Sequence, residues 1–298
     1  MLATIIITYN PDIGKVNSLI QSIVLNKDSC VIVVDNKSLN IKDFSNLFTI
    51  ENVVHSVFLE DNLGIAFAQN MGIKKAIELG ASHILFFDQD SKISNNFVED
   101  LISDYEKISV ENTKIAAIGP RFIDENKGFY FPALRFNKYG LIDKISVEDI
   151  KVPTEVSFLI SSGTLVSVDS LKSIGFMKEE FFIDFVDTEW CFRALSMGYK
   201  IYMSEKAIMK HSIGDDTLKI FNFNIPVHSG FRRYYRIRNL FFMWKMPYIP
   251  KILVAKLMVT NFMIQVLLFL LKDKKLDYIK FYLKAIKDGV KQSKDYRV

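Results

Sequence analysis

The feature that most constrains this chain is an alternation, over its first 120 residues, between short continuously apolar runs and segments of helical period. Residues 3–8, 30–34, 53–59, 83–87 and 115–118 read as buried strands. Between them, residues 14–26 carry Val16, Leu19, Ile20 and Ile23 on one face, residues 65–79 form a helix stopped by Gly80, and residues 95–108 are helical again. Strands that are apolar on both faces, joined by helix-length crossovers, demand an α/β fold: a mostly parallel sheet with helices on both faces. In such sheets ligands sit at the C-terminal strand ends. The polar clusters 8–10, 35–38 and 88–91 all fall there.

The middle of the chain is less regular. Residues 121–152 read as loop-rich, with aromatics at Phe129, Tyr130, Phe131 and Phe136. Residues 155–168 read as one strand interrupted by Ser161-Ser162-Gly163, residues 184–197 as a helix closed by Gly198, and residues 200–203 as a further strand. Two cysteines far apart, Cys30 and Cys191, exclude a disulfide scaffold and fit a reducing compartment. The N-terminal run has no basic region ahead of it and is too short for a secretory signal, so the expectation is a body that stays in the cytosol.

Composition changes beyond His228. Residues 228–298 hold 16 Lys and Arg against 4 acidic residues, whereas residues 1–227 hold 22 basic and 30 acidic. This divides the chain into a body, 1–227, and a basic helical C-terminal extension, 228–298, that suits an anionic surface. Arg232–Trp244 mixes basic and aromatic residues. Residues 252–271 are nearly apolar apart from Lys256, Thr260, Asn261 and Gln265, and residues 274–294 form a basic amphipathic helix. In that helix Leu276, Ile279, Leu283, Ile286 and Val290 make a stripe flanked by Lys280, Lys284, Lys287 and Lys291, the pattern of lysines snorkelling at a membrane interface. A lysine and two amides in 252–271 favour a monotopic helix or re-entrant hairpin over a true span. Deleting residues 252–298 is expected to release the protein from membranes.

Some of these residues carry chemistry. Asp88-Gln89-Asp90 ends an apolar strand, and residues i and i+2 of an extended segment face the same way. Two converging carboxylates suit Mg²⁺ or Mn²⁺, which in turn hold a diphosphate. Asp35 directly follows a strand, where an acid either binds a ribose or base edge or closes an Asx turn with Asn36 and Ser38. Asp184, Asp187 and Glu189 open a helix beside Trp190; acids cap such an end, and one of them can serve as general base. His211 gains interest only beside Asp88 and Asp90. Neither a Walker A motif nor a Gly-x-Gly-x-x-Gly is present.

Seven motifs then occur in one order over residues 3–215: Thr8-Tyr9-Asn10-Pro11, Val34-Asp35-Asn36-Lys37-Ser38, Asn62-Leu-Gly64-Ile-Ala66-Phe-Ala68-Gln-Asn70, Asp88-Gln89-Asp90-Ser91, Ser161-Ser162-Gly163, Asp187-Thr-Glu189-Trp190-Cys-Phe-Arg193 and His211. Together they resemble the family 2 inverting glycosyltransferases of GT-A fold, the nucleotide-diphospho-sugar transferases. Among these they look most like bacterial rhamnosyltransferases of O-antigen and related polysaccharide assembly. The resemblance implies that Thr8, Tyr9, Asn10 and Asp35 hold the nucleotide and that Asn62, Gly64 and Asn70 shape the nucleotide-sugar pocket. It makes Asp88 and Asp90 the metal pair with His211 a further ligand, and Gln89 part of the same site. Ser162 and Gly163 would line the sugar–acceptor junction, Asp187 would be the catalytic base, and Glu189, Trp190 and Arg193 would belong to the substrate site. The implied reaction moves rhamnose from dTDP-L-rhamnose to a hydroxyl of a polyprenyl-diphosphate-linked saccharide at the cytoplasmic face of the cell membrane, with Mg²⁺ or Mn²⁺ as cofactor and no nucleic-acid partner. Two features depart from the family: the common Glu-Asp-x-Asp reads Val186-Asp187-Thr188-Glu189, and an Arg that many relatives carry near residues 68–69 to bind the diphosphate is absent, which leaves Arg193 or the basic tail to compensate. The alternatives are a UDP-hexose donor, a nucleic-acid-binding protein with a basic tail, and a catalytically dead scaffold.

Overall fold

The computed structural model describes residues 1–24, 29–40, 54–125, 128–137, 141–211, 217–220, 223–226, 228–272 and 275–294, with backbone only at 211, 217–220 and 223–226. The first strands appear where the apolar runs lie: β1 (Leu2–Thr8), β2 (Ser29–Asp35), β3 (Val54–Phe58), β4 (His83–Asp88) and β5 (Ile115–Asp124). Helices α1 (Ile13–Val24), α2 (Ile65–Glu78) and α3 (Phe97–Ser109) connect them. Then follow β6 (Ala133–Phe136), β7 (Ile142–Ile145), β8 (Thr154–Val156), β9 (Leu165–Ser167), α4 (Val168–Ile174), a 3₁₀ turn (Glu179–Phe181), α5 (Val186–Ser196) and β10 (Lys200–His211). Two short strands, β11 (Thr217–Ile220) and β12 (Phe223–Pro226), precede α6 (Gly230–Lys245), α7 (Lys251–Leu271) and α8 (Lys275–Lys294).

An eight-stranded sheet forms in the order β3-β2-β1-β4-β9-β5-β10-β8. The pairs β2/β3, β1/β2, β1/β4 and β5/β10 are parallel, as continuous apolar runs require. Alternate residues of β1 face opposite ways: Ile6 packs with Val16, Leu19, Phe97 and Leu101 of α1 and α3, and Ile5 packs with α2, α4, α5 and α6 on the other face.

Four segments differ from the sequence expectation. Residues 155–168 supply two strands in different places, β8 at the sheet edge and β9 inserted antiparallel between β4 and β5. Helix α4 follows β9 directly; seven residues are too few for a period to show, and its local signal is Ser167 accepting from Ser170 N at 3.0 Å. A β6–β7 hairpin occupies part of the loop-rich stretch. Strand β10 runs well past residue 203, because a register shift between Met203 and Ile208 carries it around Pro120 of β5, which has no N–H to donate. Asp104 of α3 satisfies that bulge, accepting from Ser204 Oγ at 2.6 Å, Glu205 N at 2.8 Å and Lys206 N at 3.0 Å.

The change of composition at residue 228 is not a break in packing. Leu240, Phe242 and Met243 of α6 and Met246 just after it, with Leu253 and Val254 of α7, belong to the same buried core as the sheet and α2. Helix α7 wears its polarity inward: buried Asn261 accepts from Arg233 Nη1 at 2.9 Å, and Gln265 donates to Tyr278 O at 2.7 Å. Its outward face, apart from Lys256 and Thr260, is apolar, with Val259, Phe262, Met263, Val266 and Leu270 all exposed. Helix α8 is likewise turned over. Its small residues Ala285, Gly289 and Ser293 are buried, while Leu276, Ile279, Leu283 and Val290 face out. A Cβ at Gly289 would lie 2.5 Å from Phe241 Cδ2. Two of the four arginines of α6 are used inside, since Arg233 and Arg238 are only 3% and 7% exposed.

Deleting residues 252–298 would therefore strip Leu253 and Val254 from the core and uncover Arg233, so point substitutions are the usable probes. Gly289→Leu is expected to destabilise by about 1–3 kcal/mol through overpacking against Phe241. Leu283→Gln, on the outward stripe, is expected to stay within about 0.5 kcal/mol of the parent. Chemical denaturation of both variants checks this; equal effects would contradict the orientation of α8.

Candidate active site

The parallel registers set Thr8 beside Asp35 and Ile7 beside Asp88, so three polar strand ends meet at one edge of the sheet. Asp35 is fully buried. Its carboxylate accepts from Thr8 Oγ1 at 2.9 Å, from Ser38 N at 2.7 Å and from Ser38 Oγ. It thus closes the Asx-type turn and holds the rim. Ser38 Oγ in turn accepts from Asn10 N at 2.7 Å, and Asn10 Oδ1 accepts from Leu39 N at 2.8 Å. Asn10 sits in the left-handed region at φ 47°, which a short amide side chain tolerates. Tyr9 is half exposed, and its N–H donates to Gln89 Oε1 at 2.8 Å, tying the end of β1 to the Asp-Gln-Asp loop. Asn36 and Asn62 interlock: Asn36 Nδ2 donates to Asn62 Oδ1 at 3.0 Å, and Leu63 N donates to Asn36 Oδ1 at 3.0 Å.

Asp88 ends β4 partly buried, and Asp90 follows it exposed. Burial pushes the Asp88 carboxyl up to about 6, assisted by the negative charges of Asp90 and Asp187 and opposed by Arg232. These four side chains therefore share one electrostatic neighbourhood. The Ser161–Gly163 turn joins its halves. Ser162 Oγ lies 2.8 Å from Ser91 Oγ and accepts from Asp88 N at 3.3 Å, and Gly163 N donates to Phe86 O at 2.7 Å. Gly163 has φ 78°, and a Cβ there would lie 2.8 Å from Pro120 Cγ, so only glycine fits. On the other side, the Asp187 carboxylate accepts from Thr188 N at 2.8 Å. Burial raises the Asp187 pKa, and backbone donors from Thr188 and Ser161 offset part of the rise.

Residues 176–185 lead into Asp187 and are gripped from two sides. From α2, Asn70 makes a complete amide pair with Met177, donating to its O and accepting from its N at 2.9 Å each, and also donates to Glu179 Oε1. Gly64, at φ 88°, abuts Phe182; a Cβ there would lie 2.5 Å from Phe182 O, and Ile65 N donates to that same oxygen at 2.7 Å. From α6, Asn239 Nδ2 reaches the carbonyls of Phe181, Ile183 and Asp184 at 2.9, 2.9 and 3.0 Å, and Arg238 donates to the carbonyl of Glu180. Tyr235 stacks on Phe182 with ring centroids 4.3 Å apart. This grip sustains three non-glycine residues at positive φ, Phe182, Asp184 and Phe185. Asp184, whose side chain is 5% exposed, receives Arg236 Nη1 at 3.1 Å and Arg232 Nε at 3.3 Å.

The sequence-selected Glu189, Trp190 and Arg193 face inward, away from the Asp88–Asp187 cluster. Arg193 donates to Glu189, Ile174 O and Phe176 O; Trp190 Nε1 donates to Gly175 O at 2.9 Å; Tyr248 donates to Glu189 Oε1. These three tie α5 to α4 and to the segment after α6. The structure brings Asp184, one of the three acids marked at this helix start, together with Arg232, Arg236 and Asn239, which were not singled out as site residues. Their only sequence signal is the basic–aromatic run from Arg232, which composition assigns to a surface role.

Among the described residues, no group of three or more His, Cys, Asp or Glu side chains could by itself hold a metal ion. Asp88 and Asp90 fit a Mg²⁺ or Mn²⁺ that takes one or two carboxylates and completes its shell with phosphate oxygens and water. A bound ion would supply positive charge beside these carboxylates, whose mutual repulsion adds to burial in raising the Asp88 pKa. His211 closes β10 opposite Asp124; its side chain lies outside the described residues.

Comparison with known proteins agrees with this geometry. The glycosyl transferase family 2 profile matches residues 4–175. The dTDP-rhamnosyl transferase RfbF of Shigella flexneri is 42% identical over 289 residues, covering 96% of this chain and 94% of that protein. The low-salt glycan biosynthesis hexosyltransferase Agl10 of Haloferax volcanii is 22% identical, covering 83% and 78%. In fold, the chain is similar to S. aureus TarS in complex with UDP-GlcNAc, at TM-score 0.59 and 16% identity, covering 98% of this chain and 81% of that one. It is also similar to GalNAc-T7 with UDP, GalNAc and Mn²⁺, at TM-score 0.60 and 11% identity, covering 88% of this chain and 54% of that one. With a sheet built around the Asp-x-Asp strand end, a matching profile over more than half its length and a relative aligned along nearly all of it, the chain belongs to glycosyl transferase family 2 and is a glycosyltransferase.

Proposed function

We propose that the protein is an inverting rhamnosyltransferase that moves rhamnose from dTDP-L-rhamnose to a hydroxyl of a lipid-linked saccharide in cell-surface polysaccharide synthesis. The 42% identity to RfbF along nearly the whole chain is the observation that carries the donor. In this reading the nucleoside sits over the rim formed by Thr8, Tyr9 and Asn10, with Asp35 bracing the rim from beneath. Asp88 and Asp90 hold the ion, with His211 as a further ligand. A bound Mg²⁺ or Mn²⁺ would neutralise charge on the diphosphate. Asp187 takes the proton of the acceptor hydroxyl, whose oxygen forms a bond to the anomeric carbon as the bond to the diphosphate breaks, inverting that centre. Its raised pKa favours proton uptake, and the turn at Ser161–Gly163, bonded to Asp88 N and directed at Asp187, lines the junction between donor and acceptor. Gly64 and Asn70 shape the site indirectly, by fixing the residues ahead of Asp187, and Asn62 does so by holding Asn36 and accepting from Gly64 N.

The C-terminal helices are read as a docking surface for an anionic bilayer at the cytoplasmic face of the cell membrane. Among the described residues, Lys251–Leu271 is the one helix long and apolar enough to cross a membrane, and 28% of its apolar window is buried. Its amides point inward to Arg233, so the face left outside is apolar, and the outward leucines of α8 continue it. An exposed apolar surface of this extent flanked by lysines fits a helix pair lying in the interface. Juxtaposed lysines add about 1 kcal/mol each near an anionic leaflet.

Four outcomes test the reading. Turnover of dTDP-rhamnose in preference to UDP-glucose, UDP-galactose and UDP-N-acetylglucosamine is expected in a donor screen; preference for a UDP-hexose would keep the fold and overturn the donor. Asp187→Asn should retain donor binding and lose about 10²–10⁴-fold in kcat, and near-normal turnover would remove Asp187 as the base. Asp90→Ala should abolish the dependence of donor binding on Mn²⁺, measured by calorimetry with and without the ion; an unchanged dependence would count against the metal pair. Val259→Glu with Met263→Glu and Leu270→Glu should prevent co-sedimentation with phosphatidylglycerol vesicles while leaving thermal unfolding near that of the parent, and undiminished sedimentation would refute the docking face.

A further inference from the structure

We infer that Arg232, on the first turn of α6, is the residue of this chain that holds the departing diphosphate, and that the buried carboxylate of Asp184 positions it. The inference rests on the glycosyl-transfer reading above and adds a residue to it. When the acceptor oxygen bonds to the anomeric carbon, its proton passes to Asp187. The electrons of the breaking carbon–oxygen bond pass to the terminal phosphate oxygen, so the leaving nucleoside diphosphate gains one negative charge. It gains that charge among Asp88, Asp90 and Asp187, where positive charge is already short.

The arginines of the neighbourhood sort by what they already hold. Arg193 is consumed by Glu189 and the carbonyls of Ile174 and Phe176. Arg233 is bound to Asn261 and Gln265, and Arg238 to the carbonyls of Glu180 and Phe181. Arg236 lies over the Phe185 ring at 5.1 Å and bonds Asp184. Arg232 differs. It reaches Asp184 through Nε and Nη2 at 3.3 and 3.4 Å, which leaves its Nη1 edge without a partner among the described residues, and its side chain is 44% exposed.

Asp184 carries one negative charge against two guanidiniums, so the trio presents a net positive charge to the site. Two-point anchoring of a planar guanidinium fixes the direction of its remaining edge, which a lysine could not reproduce. The construction is specific to this loop. Asp184 stands at φ 64° three residues before Asp187, and Asn239 of the same helix takes up the carbonyls on either side of it. A helix that composition groups with the tail is thereby joined to the catalytic loop at the point where the leaving group must be met.

The test compares dTDP with dTMP, which differ by the terminal phosphate, in binding to the full-length protein with Mg²⁺ present. Arg232→Gln is expected to weaken dTDP by about 10- to 100-fold and to change dTMP by less than about twofold. Turnover of the donor should fall by about 10²-fold or more, with the acceptor KM unchanged. Arg232→Lys should recover only part of the loss. Asp184→Asn should reproduce the selective loss of dTDP in weaker form, a readout that mere loosening of the loop would not separate from dTMP. If Arg232→Gln unfolds because Asp184 loses a partner, the Arg232→Gln/Asp184→Asn pair removes the stranded charge and carries the same comparison. Equal losses for dTDP and dTMP, or no loss for either, would overturn the assignment. If the wild type binds UDP in place of dTDP, UDP against UMP decides it and only the donor identity fails; if it binds neither diphosphate, the glycosyl-transfer reading and this assignment fail together.

Discussion

The structure turns on the grip that two helices exert on residues 176–185. Asn70 of α2 and Asn239 of α6 together satisfy the backbone of Met177, Phe181, Ile183 and Asp184, and both side chains are buried. A buried amide with its partners in place contributes modestly, but removing it leaves carbonyls unsatisfied at about 1–3 kcal/mol apiece. That asymmetry lets the segment hold Phe182, Asp184 and Phe185 at positive φ, where a free loop would relax. Asp187 starts α5 directly after this strained stretch, so its placement opposite Asp88 depends on both asparagines.

The grip also explains why the C-terminal region has two characters. The inner side of α6 and the start of α7 belong to the core of the sheet and complete the catalytic edge. The outer side of α7 and α8 exposes an apolar stripe flanked by lysines, while Asn261, Gln265 and Asp288 turn inward to bond Arg233, Tyr278 and Tyr234. One helical unit thus braces the loop ahead of Asp187 and presents an exposed apolar surface.

The fold was largely legible because its information is local. The five first strands and their three helices follow from period and apolar run length, which a sequence displays directly. The failures are the segments whose pairing is remote. β9 is three residues long and gains its identity from β4 and β5, and α4 has only a serine cap to announce it. β10 passes residue 203 only because Asp104, a hundred residues away, completes the bulge.

At the site, the sequence by itself determined the chemistry-bearing strand ends: Thr8, Asp35 and Asp88 are set by where apolar strands stop, and parallel register then aligns them. It also determined that Asp187 opens a helix. Tertiary structure alone decided which polar residues face the reaction and which hold the frame. Asp35, Asn70, Glu189, Trp190 and Arg193 carry the expected motifs yet spend their polar atoms on neighbouring chain, while Arg232, which looked like part of a basic tail, comes to bond Asp184 ahead of Asp187. The physical reason is distance along the chain. Period and capping report contacts within one or two turns, whereas a hydrogen bond between residues 184 and 232 is fixed only once both sides of the core have packed.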